Sequence, residues 1–386
     1  MQEGNGDLPN SAPTDSGSGG PAWGAISTKL PYELHRHTGD VRALRAAYPT
    51  ARRFLQFVAS NIDNSTGLVR KFGAFLGDWQ TPHGCESDAR NVLFNNAFFV
   101  HQLGLAGEVA AAVGAPTNDT AVYASWAATV GAAVHEAYYN SSAASYAVDG
   151  GSVQGDNVVC LMAGLVPDAA VDGVLASLEH QITVEKQGHL DTGTFNTWLM
   201  AKLLAAPAGT APAARKRRDA LLLQMAVNPT APGYGYLVSE LGLSTWPEKW
   251  DAGFVAGAAS LLHGTLNGFG LWFPQGLLGV QPTGTPGRVD IFPAYEVGLG
   301  RASGAVATPL GPVSVSWQAA TGTVGVALNL TVPFNTIATV RIPAKSAAAV
   351  TEGSGAAAVV ATFQRQDGAD TIWLVGSGSY RFRADV

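Results

Sequence analysis

Two periodicities divide this chain. From Ala25 to about Leu278 the apolar positions recur every three to four residues, the spacing of helices that bury one face. Beyond Pro282, Val, Ile and Thr alternate with small polar residues between regular Gly and Pro signals, as in half-buried strands. The first helical pattern starts near Ala25 and runs through Leu30, Leu34 and His37 to a stop at Gly39. The second carries Val41, Leu44, Ala47, Ala51, Phe54, Leu55 and Val58. Pro49 lies within it at a bend or first turn, because it lacks an amide donor and disfavours helix just before it. A loop follows over 64–86, holding Gly73, Gly77, Asp78, Trp79, Pro82 and Gly84. Connections this long within a helical region are usually functional.

Further helices are predicted over 88–103, 107–113, 120–138, 153–163, 169–185, 194–204, 213–227, 254–266 and 271–278, with N-caps such as Asp88, Thr117 and Asp168. Polar and aromatic residues gather in the long connections at 77–79, 188–192 and 234–251. Strands are predicted over 313–317, 323–331, 336–342, 350–352, 359–364 and 371–375, with turn signals at the spacing of a β-sandwich. Three regions follow: an irregular arm over 1–22, a helical domain over 23–281 and a β-sandwich over 282–386. About ten consecutive helices in hairpins have few packing solutions. One is a toroid of paired helices whose loops frame a cleft at one end; the other is an irregular α-solenoid, for which no fixed-period repeat is seen. The expected fold class is α+β multidomain, an α/α toroid followed by a β-sandwich.

Composition narrows the chemistry. Hydrophobic residues make up 47% and charged residues 13%, so little of the chain reads as disordered. The formal net charge is −6, which argues against a nucleic-acid partner. The one basic cluster, Arg215-Lys216-Arg217-Arg218, reads as a solvated helix face. No apolar run has the length of a membrane span, and no His/Cys spacing suggests a metal, so neither a membrane partner nor a cofactor is expected. Cys85 and Cys160 are either free thiols or one bridge. Four Asn-x-Ser/Thr sites, at Asn64, Asn118, Asn140 and Asn329, lean towards export; the N-terminal arm, lacking an apolar signal core, leans against it.

The chemically richest stretch is Leu243-Ser244-Thr245-Trp246-Pro247-Glu248-Lys249-Trp250-Asp251, followed by Ser260 and His263. A carboxylate between two indoles suits a sugar site, since Trp offers a broad apolar face and one N–H. Desolvation there is expected to raise the pKa of Glu248 towards that of a working general base. The competing reading makes Trp246 and Trp250 core residues one helical turn apart, with Glu248 solvated.

Several motifs in order resemble the catalytic region of α-L-rhamnosidases, inverting glycoside hydrolases with an (α/α)6 barrel and a C-terminal β-sandwich. They are Pro21-Ala22-Trp23-Gly24, the Tyr32…Thr38-Gly39-Asp40 helix end, Gly77-Asp78-Trp79, His189-Leu190-Asp191-Thr192-Gly193, Ser244 to Trp250, Ser260-Leu261-Leu262-His263 and the 272–279 segment, so the likeness spans about Gly4 to Ala344. The resemblance implies a rhamnoside as carbohydrate partner, Glu248 as the general base and His263 beside it. It implies Trp23 and Trp79 as aromatic walls, with Asp78 and Asp191 accepting from ring hydroxyls or bracing loops. Trp246 and Trp250 flank the base. Two departures stand out. Pro247 separates Trp246 from Glu248, where the family has them adjacent. The family's general acid lies upstream, in a motif of the form Asp-x-Pro-Gln-Arg-x-Glu, which this sequence lacks, and its helices number about ten rather than twelve. Either the sequence is a piece of a longer protein, leaving apolar helix surface uncovered, or Glu86 or Asp88 substitutes. A carbohydrate-binding protein without turnover, and a polysaccharide lyase using Tyr234, Tyr236 and His263, are the alternatives.

Overall fold

The computed structural model describes residues 2–11, 17–83, 87–206, 212–251, 260–264, 266–321, 324–353 and 361–385. Its elements in order are α1 (Pro21–Gly24), α2 (Ile26–Thr38), α3 (Arg42–Ala59), α4 (Asp88–Val113), α5 (Thr117–Tyr138), a hairpin of β1 (Tyr139–Asn140) and β2 (Ser145–Tyr146), α6 (Gln154–Met162), α7 (Asp168–His180), α8 (Thr194–Ala205), α9 (Pro212–Val227) and α10 (Tyr234–Ser239). The strands that follow are β3 (Val280–Pro282), β4 (Arg288–Ile291), β5 (Arg301–Thr308), β6 (Gly311–Thr321), β7 (Val324–Val332), β8 (Ile337–Pro343), β9 (Val350–Glu352), β10 (Ala361–Asp367), β11 (Asp370–Val375) and β12 (Gly378–Asp385). By contacts the chain forms two compact units. One holds Met1–His35, Asp40–Leu203 and Met225–Gly268; the other holds Arg36–Gly39, Leu204–Gln224 and Phe269–Val386.

The first unit is helical and centres on α4. The predicted break after Leu103 does not occur: α4 is one helix of 26 residues, capped at its start by the Ser87 side chain on the Arg90 amide and closed by left-handed Gly114. Gly104 and Gly107 lie within it and neither interrupts the helix. The N-caps expected at Asp88, Thr117 and Asp168 fall one residue earlier, at Ser87, Pro116 and Pro167. Two fully buried asparagines on α4 pin the loops around it. The Asn95 side chain accepts from the Ala22 amide at 3.3 Å and donates to the Leu76 carbonyl at 2.9 Å; Asn96 accepts from the Val69 amide at 2.7 Å. An unmet buried amide would cost ~1–3 kcal/mol, so these bonds fix where the loops lie. The apolar stripe of α2 does not face a core. Ile26, Leu30 and Leu34 are 58%, 61% and 48% exposed, while Thr28 on the opposite side is buried and accepts from Gln102 at 3.1 Å.

Among the described residues the second unit is built on two five-stranded sheets, ordered β10-β11-β8-β4-β3 and β5-β6-β7-β12-β9, in which only the β4–β8 pair is parallel. Alternation places Val313, Val315 and Trp317 of β6 in the core, with Leu328 and Leu330 of β7 beside them. Trp373 of the first sheet meets Phe382 of the second at 6.2 Å. Strand β5, rich in Ala, Ser and Gly, carries little β signal, and β3, β4 and β12 were likewise not expected. The helix expected over 271–278 is instead a 3-10 turn, Leu266–Leu271, and a π turn, Phe273–Leu277, since Gly268, Gly270, Pro274 and Gly276 weaken an α-helix there. Of the helix expected over 254–266, residues 254–259 lie outside the described residues, and 260–264 are not helical. Cys160 is a free buried thiol whose pKa burial pushes up, while Cys85 lies outside the described residues. Among the described residues no helix is long and apolar enough to cross a membrane.

The second unit carries a pH dependence. Asp219 on α9 has its pKa raised from 3.8 to about 7, chiefly by burial. The folded state therefore holds this proton more tightly than the unfolded one. The stability it gives is full below about pH 4 and is lost as the pH rises through about 7. Thermal unfolding followed from pH 4 to 8 should show that decline, and Asp219→Asn should flatten it; superimposable profiles would remove Asp219 as the cause.

Candidate active site

The loop from Phe75 to His83 is held from both sides. Gly77 lies against the Asn91 side chain, so a larger residue there would displace the Asn91 Oδ1. Asp78 is buried at the start of α8, 115 residues ahead of the amide of Gly193, which donates to its Oδ2 at 2.7 Å. The Phe195 and Asn196 amides donate to its Oδ1 at 2.9 and 3.2 Å. A carboxylate at a helix N-terminus meets otherwise orphaned N–H groups and the positive end of the dipole. Burial still prevails over these bonds, pushing the Asp78 pKa up to about 6. The next residue completes the clamp: the Trp79 carbonyl accepts from the Thr194 amide at 2.8 Å and the Thr194 hydroxyl at 3.1 Å. Gly193 is required because a Cβ there would stand 2.3 Å from that carbonyl.

So fixed, the Trp79 indole projects its N–H onto the Glu248 Oε1 at 3.1 Å, a contact across 169 residues of sequence. Glu248 sits in a short turn at 248–251 rather than a helix, and hydrogen bonds tie this stretch to the segment at 260–263. Its amide donates to the Ser260 carbonyl at 2.9 Å, the Ser260 amide donates back to its Oε2 at 3.3 Å, and the His263 amide donates to the Trp246 carbonyl at 3.0 Å. Pro247 is buried just before this turn and Glu248 still reaches Trp79. The expected rise in the Glu248 pKa is not found. Burial pushes it up, but the Trp79 N–H, the Ser260 amide and the electrostatic influence of His263 and Lys249 outweigh it, and the carboxyl titrates below its ordinary value. The group is an anion at neutral pH.

The aromatic residues separate into wall and core. Trp23 meets Trp79 edge-on at 5.6 Å, and its buried indole N–H has no hydrogen-bond partner among the described residues. Phe195 packs on Trp23 at 5.6 Å from the other side. Trp246 and Trp250 both meet the ring of Tyr234 edge-on, at 5.1 and 5.3 Å. Trp250 is buried, 6% exposed, and belongs to the core under the turn rather than to an open wall; Trp246 is half-buried.

Asp78 and Asp191 both line a cavity of about 10 Å³, room for one water rather than a sugar. Both Asp78 oxygens are committed to the three amides above, so it is a helix cap and not an open acceptor. Asp191 is buried between the His83 ring at 2.7 Å and the Lys186 ammonium at 2.9 Å, and its amide is held by Gln154 at 3.0 Å. Asn95, Phe195, His83 and Lys186 were not singled out from the sequence; their spacing carries no local signal, and only the fold brings them here. Of the proposed substitute acids, Glu86 lies outside the described residues and Asp88 is an exposed helix-start residue paired with Lys71 at 3.0 Å. Among the described residues no cluster of His, Cys, Asp and Glu could hold a metal ion.

A helical unit presenting an ionised carboxylate against indole walls, followed by paired β-sheets, defines a glycosidase-type architecture. The sequence profile of the bacterial alpha-L-rhamnosidase 6 hairpin glycosidase domain matches residues 1–277, and that of the bacterial alpha-L-rhamnosidase C-terminal domain matches residues 279–357. The chain belongs to the bacterial α-L-rhamnosidase six-hairpin glycosidase family. An α-L-rhamnosidase of Alteromonas sp. (strain LOR) is 28% identical over 324 residues, 81% of this chain and 33% of that protein. The solved structure of Streptomyces avermitilis α-L-rhamnosidase complexed with L-rhamnose aligns with a TM-score of 0.83 and 27% identity, over 100% of this chain and 35% of that one. A Dictyoglumus thermophilum α-L-rhamnosidase shares the fold at a TM-score of 0.84 and 23% identity, over 100% of this chain and 42% of that one. The chain thus spans about a third of the length of the curated relatives it matches.

Proposed function

We propose that this chain is the glycosidase region of an α-L-rhamnosidase and hydrolyses terminal α-L-rhamnosyl linkages with inversion, Glu248 acting as general base. The observation that carries this is the Trp79–Glu248 hydrogen bond, which sets an anionic carboxylate against an aromatic wall. A 6-deoxy sugar has an apolar C5 methyl edge, which the Trp23 and Trp79 rings suit. Glu248 takes a proton from a water on the face of the anomeric carbon opposite the leaving oxygen. A carboxylic acid roughly 6.5–9.5 Å away protonates that oxygen. His263, on the segment paired with the Glu248 turn, holds the charge of the base and meets sugar hydroxyls. Asp191 contributes as a charged group at the edge of the Trp79 loop, Asp78 as the brace behind it, and Trp246 and Trp250 as the support of the turn.

The lyase alternative loses one of its three candidate residues: Tyr234 is buried, its hydroxyl donates to the Leu266 carbonyl at 2.7 Å, and burial raises its pKa well above the ordinary value. Proton NMR of the first turnovers on an aryl α-L-rhamnoside tests the proposal. The β anomer of rhamnose is expected first. The α anomer appearing first would refute inversion, and binding of rhamnose without turnover would favour the carbohydrate-binding reading.

A further inference from the structure

The second unit encloses a cavity of about 170 Å³ unrelated to Glu248. Val280 and Val289, 3% and 5% exposed, form its floor, and Pro274, Pro282 and Pro286 stand along its walls. An apolar cavity of about 150 Å³ holds a benzene molecule, so this one has room for a single six-membered ring. Its charge is one-sided. The chain as a whole carries −6, yet the residues lining this cavity include Arg36, His37 and Arg288 and no acidic residue. The Arg36 guanidinium is committed, donating to the Thr283 and Pro282 carbonyls at 3.1 and 3.0 Å and facing Asp290 outside the lining. His37 meets the Gln275 side chain at 3.4 Å. Arg288 is exposed, on a strand pinned by its pairing with Ile337. The hydroxyls of Thr283 and Thr308 are turned to the protein, donating to the carbonyls of Arg288 at 3.1 Å and Gly311 at 2.6 Å. They offer little to a polyhydroxylated ring.

We propose that this cavity binds a single-ring aryl carboxylate, its ring against the proline and valine walls and its carboxylate at the rim on Arg288. The apolar lining selects an aromatic ring over a sugar ring, and the one-sided charge selects an anion over a neutral ring. Benzoate is the probe, titrated by calorimetry or saturation-transfer NMR, with benzyl alcohol and glucuronate as the neutral and the hydrophilic controls. Saturable benzoate binding is expected, falling with added salt. Arg288→Gln should weaken benzoate about threefold, the range of one exposed charge contact, and leave benzyl alcohol unchanged. Ala307→Trp, at an exposed position on the cavity wall, should abolish both. Benzoate binding that neither substitution alters, glucuronate binding as tightly as benzoate, or no saturable benzoate binding would each overturn the proposal.

Discussion

Replacing Glu248 by Gln is expected to lower kcat/KM for a nitrophenyl α-L-rhamnoside by on the order of 10²–10⁴-fold, the usual contribution of one general base. The isosteric amide keeps an oxygen for the Trp79 N–H and gives up only the longer bond from the Ser260 amide at 3.3 Å, while the paired backbone bonds of the turn are untouched, so the loss reports chiefly on proton acceptance. A nitrophenolate departs without protonation, which makes this substrate the right probe of the base whatever supplies the acid. Glu248→Ala with added azide separates chemistry from structure. The space left by the carboxylate admits the small anion, which attacks the anomeric carbon directly, displaces the nitrophenolate and yields a β-rhamnosyl azide. A residue that merely holds the fold gives no such rescue. Trp79→Phe adds a second readout. It keeps the ring and removes the N–H that helps hold the Glu248 pKa down, so the acidic limb of the kcat/KM profile should move to higher pH. An unmoved limb would detach Trp79 from the base.

The helical-then-strand order of the chain was legible because burial on one face writes a period into the residues. The long helix α3 and the core strands β6 and β8 carry that period and lie close to where it predicts them, whereas α4, buried nearly all round, is one helix where the sequence predicts two. Legibility failed where the period had no buried face behind it or no bulky residues to show it. The α2 stripe of Ile26, Leu30 and Leu34 reads as a core face yet stands exposed, because amphipathicity tells which side wants cover and not what covers it. Strand β5 is buried too little to need Val or Ile, and its sequence Arg-Ala-Ser-Gly-Ala-Val-Ala-Thr carries almost no strand signal. At the candidate site, Glu248, Trp79 and Trp23 stood out through rare residue types in short motifs. Their partners did not. The amides of Gly193, Phe195 and Asn196 are backbone groups that no side-chain pattern announces, and Asn95 and Lys186 are common residues made specific only by position. The direction of the Glu248 pKa is hidden in the sequence for the same reason: the neighbouring indoles imply desolvation, but the opposing hydrogen bonds come from Trp79 and Ser260, brought in by the fold.

Asp78→Ala should be the most destabilising single change in the candidate site, by about 3 kcal/mol, because it strips three buried or half-buried amides of their acceptor at once. Asp78→Asn should not rescue it. The amide retains one oxygen, so its NH2 must face either the Gly193 N–H or the pair from Phe195 and Asn196, donor against donor. The damage should be local before it is global. Hydrogen exchange at residues 193–196 should accelerate in both variants under conditions where α4 remains protected, since the cap holds only the first turn of α8. Catalysis should fall with it. Trp79 is the next residue in the chain, its carbonyl rests on Thr194, and a displacement of about 1 Å at its indole is enough to cost on the order of 10²-fold in rate. Because the Asp78 pKa is raised to about 6, the folded state binds its proton more tightly than the unfolded one; the stability from this shift is full below about pH 4 and lost as the pH rises through about 6. The two variants should therefore lose that slope as well as the cap. Protection at 193–196 equal to that of the unaltered protein would mean that the carboxylate is not what holds the loop, and the link from the Asp78 cap to the position of Glu248 would be broken.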